Sequence, residues 1–147
     1  ANPRQRAEGK KPKPTMVAVQ EIINHQYPHF LYVRQSDAEA TQDANGSWQT
    51  TGAAWKLWAS CREETNGKGT QIQAANGRFI TFASLIQLPA GTPRVTEGVE
   101  VAAADRELTP DELTDAKLQE ARTEGIVRVI GECLKFDNGR LHCRLWV

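Results

Sequence analysis

The chain has 147 residues, 18 basic and 18 acidic side chains, and an apolar content of 39%. That length suits one domain with one core, and the apolar share is low for a globular domain, as expected of a small core with polar extensions. No apolar run approaches membrane-spanning length and no signal peptide is visible. The three cysteines, Cys61, Cys133 and Cys143, form no framework spacing, so a reduced compartment is expected.

The zero net charge is unevenly spread. Arg4, Arg6, Lys10, Lys11 and Lys13 face only Glu8 in the first fourteen residues, leaving the remainder mildly acidic. Residues 1–15 are charged and Pro-rich without apolar periodicity, and are expected to form a disordered basic arm. Such an arm on an acidic body points to an anionic partner, although a solubilising tail would have the same composition. Ala1 is compatible with removal of an initiator Met. Residues 16–24 can dock as a short strand or as a helical turn, and their pattern does not decide between the two. The single domain is expected over 16–147.

Pro28 introduces a strand at Phe30–Arg34. Four Asn-Gly pairs, at Asn45, Asn66, Asn76 and Asn138, announce antiparallel hairpins. A strand is predicted over Ala54–Cys61, with Trp55, Leu57 and Ala59 on one face and Lys56, Trp58 and Ser60 on the other. A flexible Asn66–Gly69 loop follows. Thr70–Ala74 and Arg78–Leu88 should pair around Asn76-Gly77, Pro89–Pro93 should turn the chain, and Val99–Val101 reads as a short edge-like strand. One surface helix is predicted over about 109–124. Thr109 is its N-cap, Pro110 its first residue and Glu112 its capping-box partner. Leu108 and Leu113 form a staple, and Gly125 ends the helix. The fold class expected is mainly β: a small antiparallel β-barrel or sandwich of about seven short strands, with one inserted helix.

The last stretch reads as a hairpin with Asn138-Gly139 at its tip. A type I′ turn there would place Phe136 opposite Leu141, Leu134 opposite Cys143, Glu132 opposite Leu145 and Ile130 opposite Val147. The other face would then pair Asp137 with Arg140, Lys135 with His142, Cys133 with Arg144 and Gly131 with Trp146. Cys133 and Cys143 would fall on opposite faces. Arg140, His142, Arg144 and Trp146 would form an exposed basic and aromatic row, the one feature with a positive functional reading. Arg and Trp anchor protein interfaces and also serve single-stranded nucleic acid. The plainer alternative is a solvated strand face, with Trp146 covering the backbone of Gly131.

No chemistry emerges elsewhere. Gly67-Lys68-Gly69-Thr70 lacks the Gly-Lys-Ser/Thr order and the preceding Gly of a phosphate loop. Cys133, His142 and Cys143 have no paired zinc spacing. His142 and Cys143 are strand neighbours and point to opposite faces. Glu63-Glu64 reads as a solvated pair in a turn. We therefore expect no catalytic, cofactor-binding or metal residues, and a protein that is not an enzyme.

Tyr27–Tyr32, Asn45–Trp48, Ser60–Gly69, Leu85–Pro89 and Leu134–Val147 resemble small proteins encoded in Bacteroidetes prophages. More distantly, the Trp-x-x-Trp-Ala strand at Trp55–Ala59, its following hairpin and a barrel closed by late strands resemble the head–tail joining (head-closure) proteins of tailed bacteriophages. That resemblance implies a β-barrel in a homo-oligomeric ring beneath the portal, contacting portal and tail or other neck proteins and helping to retain packaged DNA. It implies a virion location after assembly in the bacterial cytoplasm. Contacts would lie on loops and termini, here the basic arm and the Asn66–Gly69 loop with Lys68. The helix departs from the compact pattern. Rival readings are an oligonucleotide-barrel protein that binds single-stranded nucleic acid, another virion role such as capsid decoration or tail completion, and a small hydrolase.

Overall fold

A computed structural model describes residues 25–35, 40–42, 44–45, 48–50, 54–74 and 76–147. The basic arm, including Arg4, Arg6, Lys10, Lys11 and Lys13, and the segment 16–24 lie outside them.

Eleven strands form among the described residues: β1 (His29–Arg34), β2 (Ala40–Gln42), β3 (Trp48–Thr50), β4 (Trp55–Thr65), β5 (Gln71–Gln73), β6 (Phe79–Thr81), β7 (Ser84–Pro89), β8 (Glu100–Ala104), β9 (Val127–Glu132), β10 (Lys135–Asn138) and β11 (His142–Trp146). Seven of them make one antiparallel sheet in the order β10-β11-β7-β4-β1-β8-β9. The pairs β2–β3 and β5–β6 are separate two-stranded ribbons.

The 11-residue β4 joins two half-sheets. Its first part, Trp55–Cys61, pairs with β1, and its last part, Arg62–Thr65, pairs with β7. The halves fold toward each other, because their inward residues share one core. Leu31, Val33, Val101, Ala103 and Val129 come from one half, and Ile86, Leu88, Phe136, Cys143 and Leu145 from the other. The edge strands β9 and β10 are joined by Cys133 and Leu134 alone, so the curled sheet brings its two edges to within a short link. No ladder pairs β9 with β10, and the sheet is not closed into a barrel.

A second cluster lies on the outer face of the β1-β8-β9 half. Tyr32, Trp55, Ala102, Ala104 and Val127 pack against Leu108, Leu118 and Ala121. β8 is therefore buried on both faces and sits between β1 and β9. It is not the edge strand that its short, Glu-flanked sequence suggests. Ala102 and Ala104 leave room for the helix.

The predicted helix divides in two. Thr109 caps a 3-10 turn, Pro110–Glu112, with the expected capping box, and Thr114 caps a separate helix α1, Asp115–Thr123. Gly125, at φ +84°, follows it. Leu118 and Ala121 are the buried positions of α1, the thin inner face expected of a surface helix. Its first residue is pinned to the sheet: Arg34 donates twice to Asp115, at 3.1 and 3.0 Å, and Trp55 Nε1 donates once, at 2.7 Å.

Other strand predictions change in detail. Leu31 pairs with Ala59 but Tyr32 with Leu57, so Trp58 is an extra, bulged residue. A bulge reverses the alternation that follows it. Trp55 consequently faces the helix, while Ala59 packs on the inter-sheet core, and the two do not share a face. Arg78–Leu88 is broken at Phe82-Ala83 into β6 and β7. The Asn66–Gly69 loop is held by its own first residue: Asn66 Nδ2 donates to the carbonyls of Thr70 and Phe82, at 2.9 and 2.8 Å.

Candidate contact surface

The closing hairpin forms with a different register. Lys135 pairs with Trp146, Phe136 with Leu145, Asp137 with Arg144 and Asn138 with Cys143. Neither Asn138 nor Gly139 has positive φ, so there is no type I′ turn, and residues 139–141 form a wider tip. Gly139 is needed for a different reason: a Cβ there would collide with the His142 carbonyl oxygen. The pairs predicted upstream do not form either. The chain leaves its strand at Cys133-Leu134, and β9 pairs with β8. Gly131 consequently faces Val101, not Trp146.

The register moves by an even number of residues, so face membership survives. Cys143 and Leu145 are buried inward, while His142, Arg144 and Trp146 are half-buried on the outer face. Arg140 stands apart from the row in the tip, beside Leu141, which is 83% exposed. Cys133 sits outside the strands and is buried in the same core as Cys143, not on an opposite face. Cys61, Cys133 and Cys143 are all free. Burial raises the Cys61 thiol far above its ordinary value and pushes Cys133 up to about 11, so both remain protonated near neutrality.

Trp146 is not a bare platform. Lys135 Nζ and the Arg144 guanidinium each lie 5.6 Å from its ring centre, within cation–π range. Arg144 also donates to Asp137 at 2.9 Å, and its Nε is buried without a hydrogen-bond partner. On the neighbouring strands this face continues through Gln87, which donates to Glu64 at 2.9 Å. His142 lines a cleft of about 320 Å³ with Gln26, Tyr27, Arg62, Gln87 and Leu141. The described chain thus begins beside the β11 row. Lys68 does not join it and lies exposed in the β4–β5 loop.

Glu63 carries the strongest polar network, and its sequence context concealed this. It lies in β4, not in a turn, and is 4% exposed. Its carboxylate accepts from Arg128 Nε at 2.6 Å, Ser84 Oγ at 2.7 Å and Thr65 Oγ1 at 2.8 Å. Burial disfavours its charge, but these donors hold its pKa below the ordinary carboxylate value. Arg128 reaches on to Asp105 at 3.3 Å, and Asp105 lies 3.4 Å from His29 Nε2. His29 Nδ1 accepts the Glu63 backbone N–H at 3.0 Å, which fixes the Nε2–H tautomer of the neutral ring. Burial, reinforced by Arg128, lowers the pKa of His29. Both oxygens of Glu63 are engaged, and Ser84 is buried, so this group ties strands together. Among the described residues, no group of three or more His, Cys, Asp or Glu side chains is placed to hold a metal ion.

No helix among the described residues is long and apolar enough to cross a membrane. No protein-family model, curated protein or solved structure matches the chain.

Proposed function

We propose that this chain is a structural virion protein of a tailed bacteriophage, a head-closure component of the neck that assembles as a ring. The observation that carries the reading is the shared cleft of Gln26, Tyr27 and His142. It puts Gln26 and Tyr27, at the start of the described chain, beside the basic and aromatic strand face, so that face is bordered by the segment that follows the arm in sequence. Two further features support it. The most exposed large apolar side chains, Leu141 at 83% and Phe79 at 69%, both stand on hairpins, where contacts between subunits are readily made. The best-connected polar residues, Glu63, Arg128, Asp105 and His29, are committed to holding the fold. In this reading the curled sheet is the counterpart of the small barrel of head-closure proteins, its neighbours are the portal and tail or other neck proteins, and the arm faces packaged DNA or an acidic neighbour.

Mass spectrometry of purified particles, with a binding assay against the portal, tests it. The chain should be present in the particle and should oligomerise with portal. Absence from the particle, together with a monomer in the presence of portal, would overturn the proposal. The nucleic-acid reading draws less support, because two cations already occupy the surroundings of the Trp146 ring on which a base would stack.

A further inference from the structure

The β5–β6 ribbon leaves the sheet between the end of β4 and the start of β7 and makes no ladder with it. Its pairing places Ile72 opposite Ile80 on one face, and Gln71, Gln73, Phe79 and Thr81 on the other. The isoleucines are half-buried, while all four residues of the second face are exposed. Phe79, the first residue of β6 and 69% exposed, is the one apolar residue on this otherwise polar face and presents ring area that docking would remove from water. Its chain neighbour Arg78 has no ion-pair partner among the described residues. The surrounding sequence, Thr65–Thr96, contains Lys68, Arg78 and Arg94 and no acidic residue.

Glu97 shares a cleft with the ribbon's Gln73, Ala74 and Gly77 but is already paired with Arg94, and the larger acidic group lies elsewhere on the molecule. Residues 100–124 hold eight acidic and three basic side chains. Between the 3-10 turn and α1 a cleft of about 240 Å³ is lined by Asp111, Glu112, Lys117, Glu120, Ala121 and Glu124. Arg106 already neutralises Glu112, at 2.8 Å, and Lys117 lies 3.3 Å from Glu120. Asp111 and Glu124 have no ion-pair partner among the described residues. This acidic module is anchored at the start of β4, through the 2.7 Å bond from Trp55 to Asp115, whereas the ribbon springs from the end of β4. The strand between them spans roughly 30 Å at its usual rise per residue.

We propose that the β5–β6 ribbon of one copy docks tip-first on the 3-10/α1 cleft of a second copy, with Arg78 meeting Asp111 and Glu124 and Phe79 covered against the cleft wall. Charge complementarity selects a copy of this chain as the occupant. A nucleic-acid strand would need a row of cations along its backbone, and the ribbon offers only Lys68 and Arg78. Because the two surfaces lie at opposite ends of one strand, the contact is head-to-tail and repeats, giving rings when the rotation closes. The inference rests on the ring reading above and names the interface that would build it.

The test uses the full chain with Gln73→Cys and Thr123→Cys introduced together, exposed positions beside the proposed contact that leave Arg78, Asp111 and Glu124 intact. All three native cysteines are buried, so a short bismaleimide reports the new thiols. The double variant should give a ladder of cross-linked species, and each single variant no ladder. In sedimentation, Arg78→Glu should weaken self-association at least tenfold, and adding Asp111→Lys to the same chain should restore it. Restoration separates a lost contact from a lost fold. Absence of both the ladder and the restoration overturns the docking proposal. If the wild-type chain still forms rings with portal, the ring reading survives and this interface alone falls.

Discussion

Val147 lies against Gly131 in β9, where a Cβ built on the glycine would stand 2.9 Å from Val147 Cγ2. The two residues belong to opposite half-sheets, and their approach measures how far the sheet curls. The Val147 backbone is fixed by Ser84, which accepts its N–H at 3.1 Å, and by Ala83, which donates to its carbonyl at 2.7 Å. The valine therefore has little freedom to retreat. Gly131→Ala should destabilise the fold by about 1–3 kcal/mol through overpacking. Adding Val147→Ala should recover part of that loss. A urea-denaturation double-mutant cycle checks it, and additive effects would place the residues out of contact.

The Glu63–Arg128 pair should respond asymmetrically to its two deletions. Arg128→Met leaves a buried carboxylate without its cation and should cost about 3 kcal/mol or more. Glu63→Gln leaves an Arg128 side chain that is 38% exposed and can be solvated, so it should cost clearly less. Equal losses in urea midpoints would contradict this account of the network.

Acid should weaken the fold in two stages. His29 is held neutral, with its pKa below 6.5 in the folded chain, so the unfolded chain takes up its proton first. Stability is therefore full above about pH 6.5 and falls as pH drops from there toward the folded pKa. Glu63 has its pKa lowered from 4.5, so its contribution is full above about pH 4.5 and is lost as pH falls through its folded value. Urea midpoints measured from pH 8 to 4 should show the first decline in wild type. His29→Gln, which keeps an acceptor for the Glu63 N–H, should flatten it. An unchanged slope in that variant would assign the decline to another group.

Trp146 should prove to be a packing residue as well as a surface one. Trp146→Ala should lower stability by about 2–3 kcal/mol, less than a fully buried tryptophan would. Lys135→Ala should cost about 0.5–1 kcal/mol through the lost cation–π contact. Neither should alter single-stranded DNA affinity at low salt. A large, salt-dependent loss of such binding would favour the nucleic-acid reading.

Local chemistry made much of this fold legible in the sequence. The capping box at Thr109 and Glu112, the alternation in β11 and the hairpin at Asn76-Gly77 are all written within a few residues. The bulge at Trp58 and the break at Cys133-Leu134 are not, because each depends on which distant strand the chain pairs with. The same holds for the site. The outward row His142, Arg144 and Trp146 follows from period two, and it holds in either register because the two differ by an even number of residues. Its companions from other strands, and the burial of Glu63, join residues separated by up to 65 positions. The ribbon's isolation from the sheet had no local signal at all.

Imaging the assembled particle by electron cryomicroscopy tests the central claim most directly. The account predicts a ring around the tail axis beneath the portal, each subunit fitting the curled seven-stranded sheet with α1 on its outer face. A complete neck reconstruction with no density for this chain, or the chain placed on the capsid surface, would contradict it.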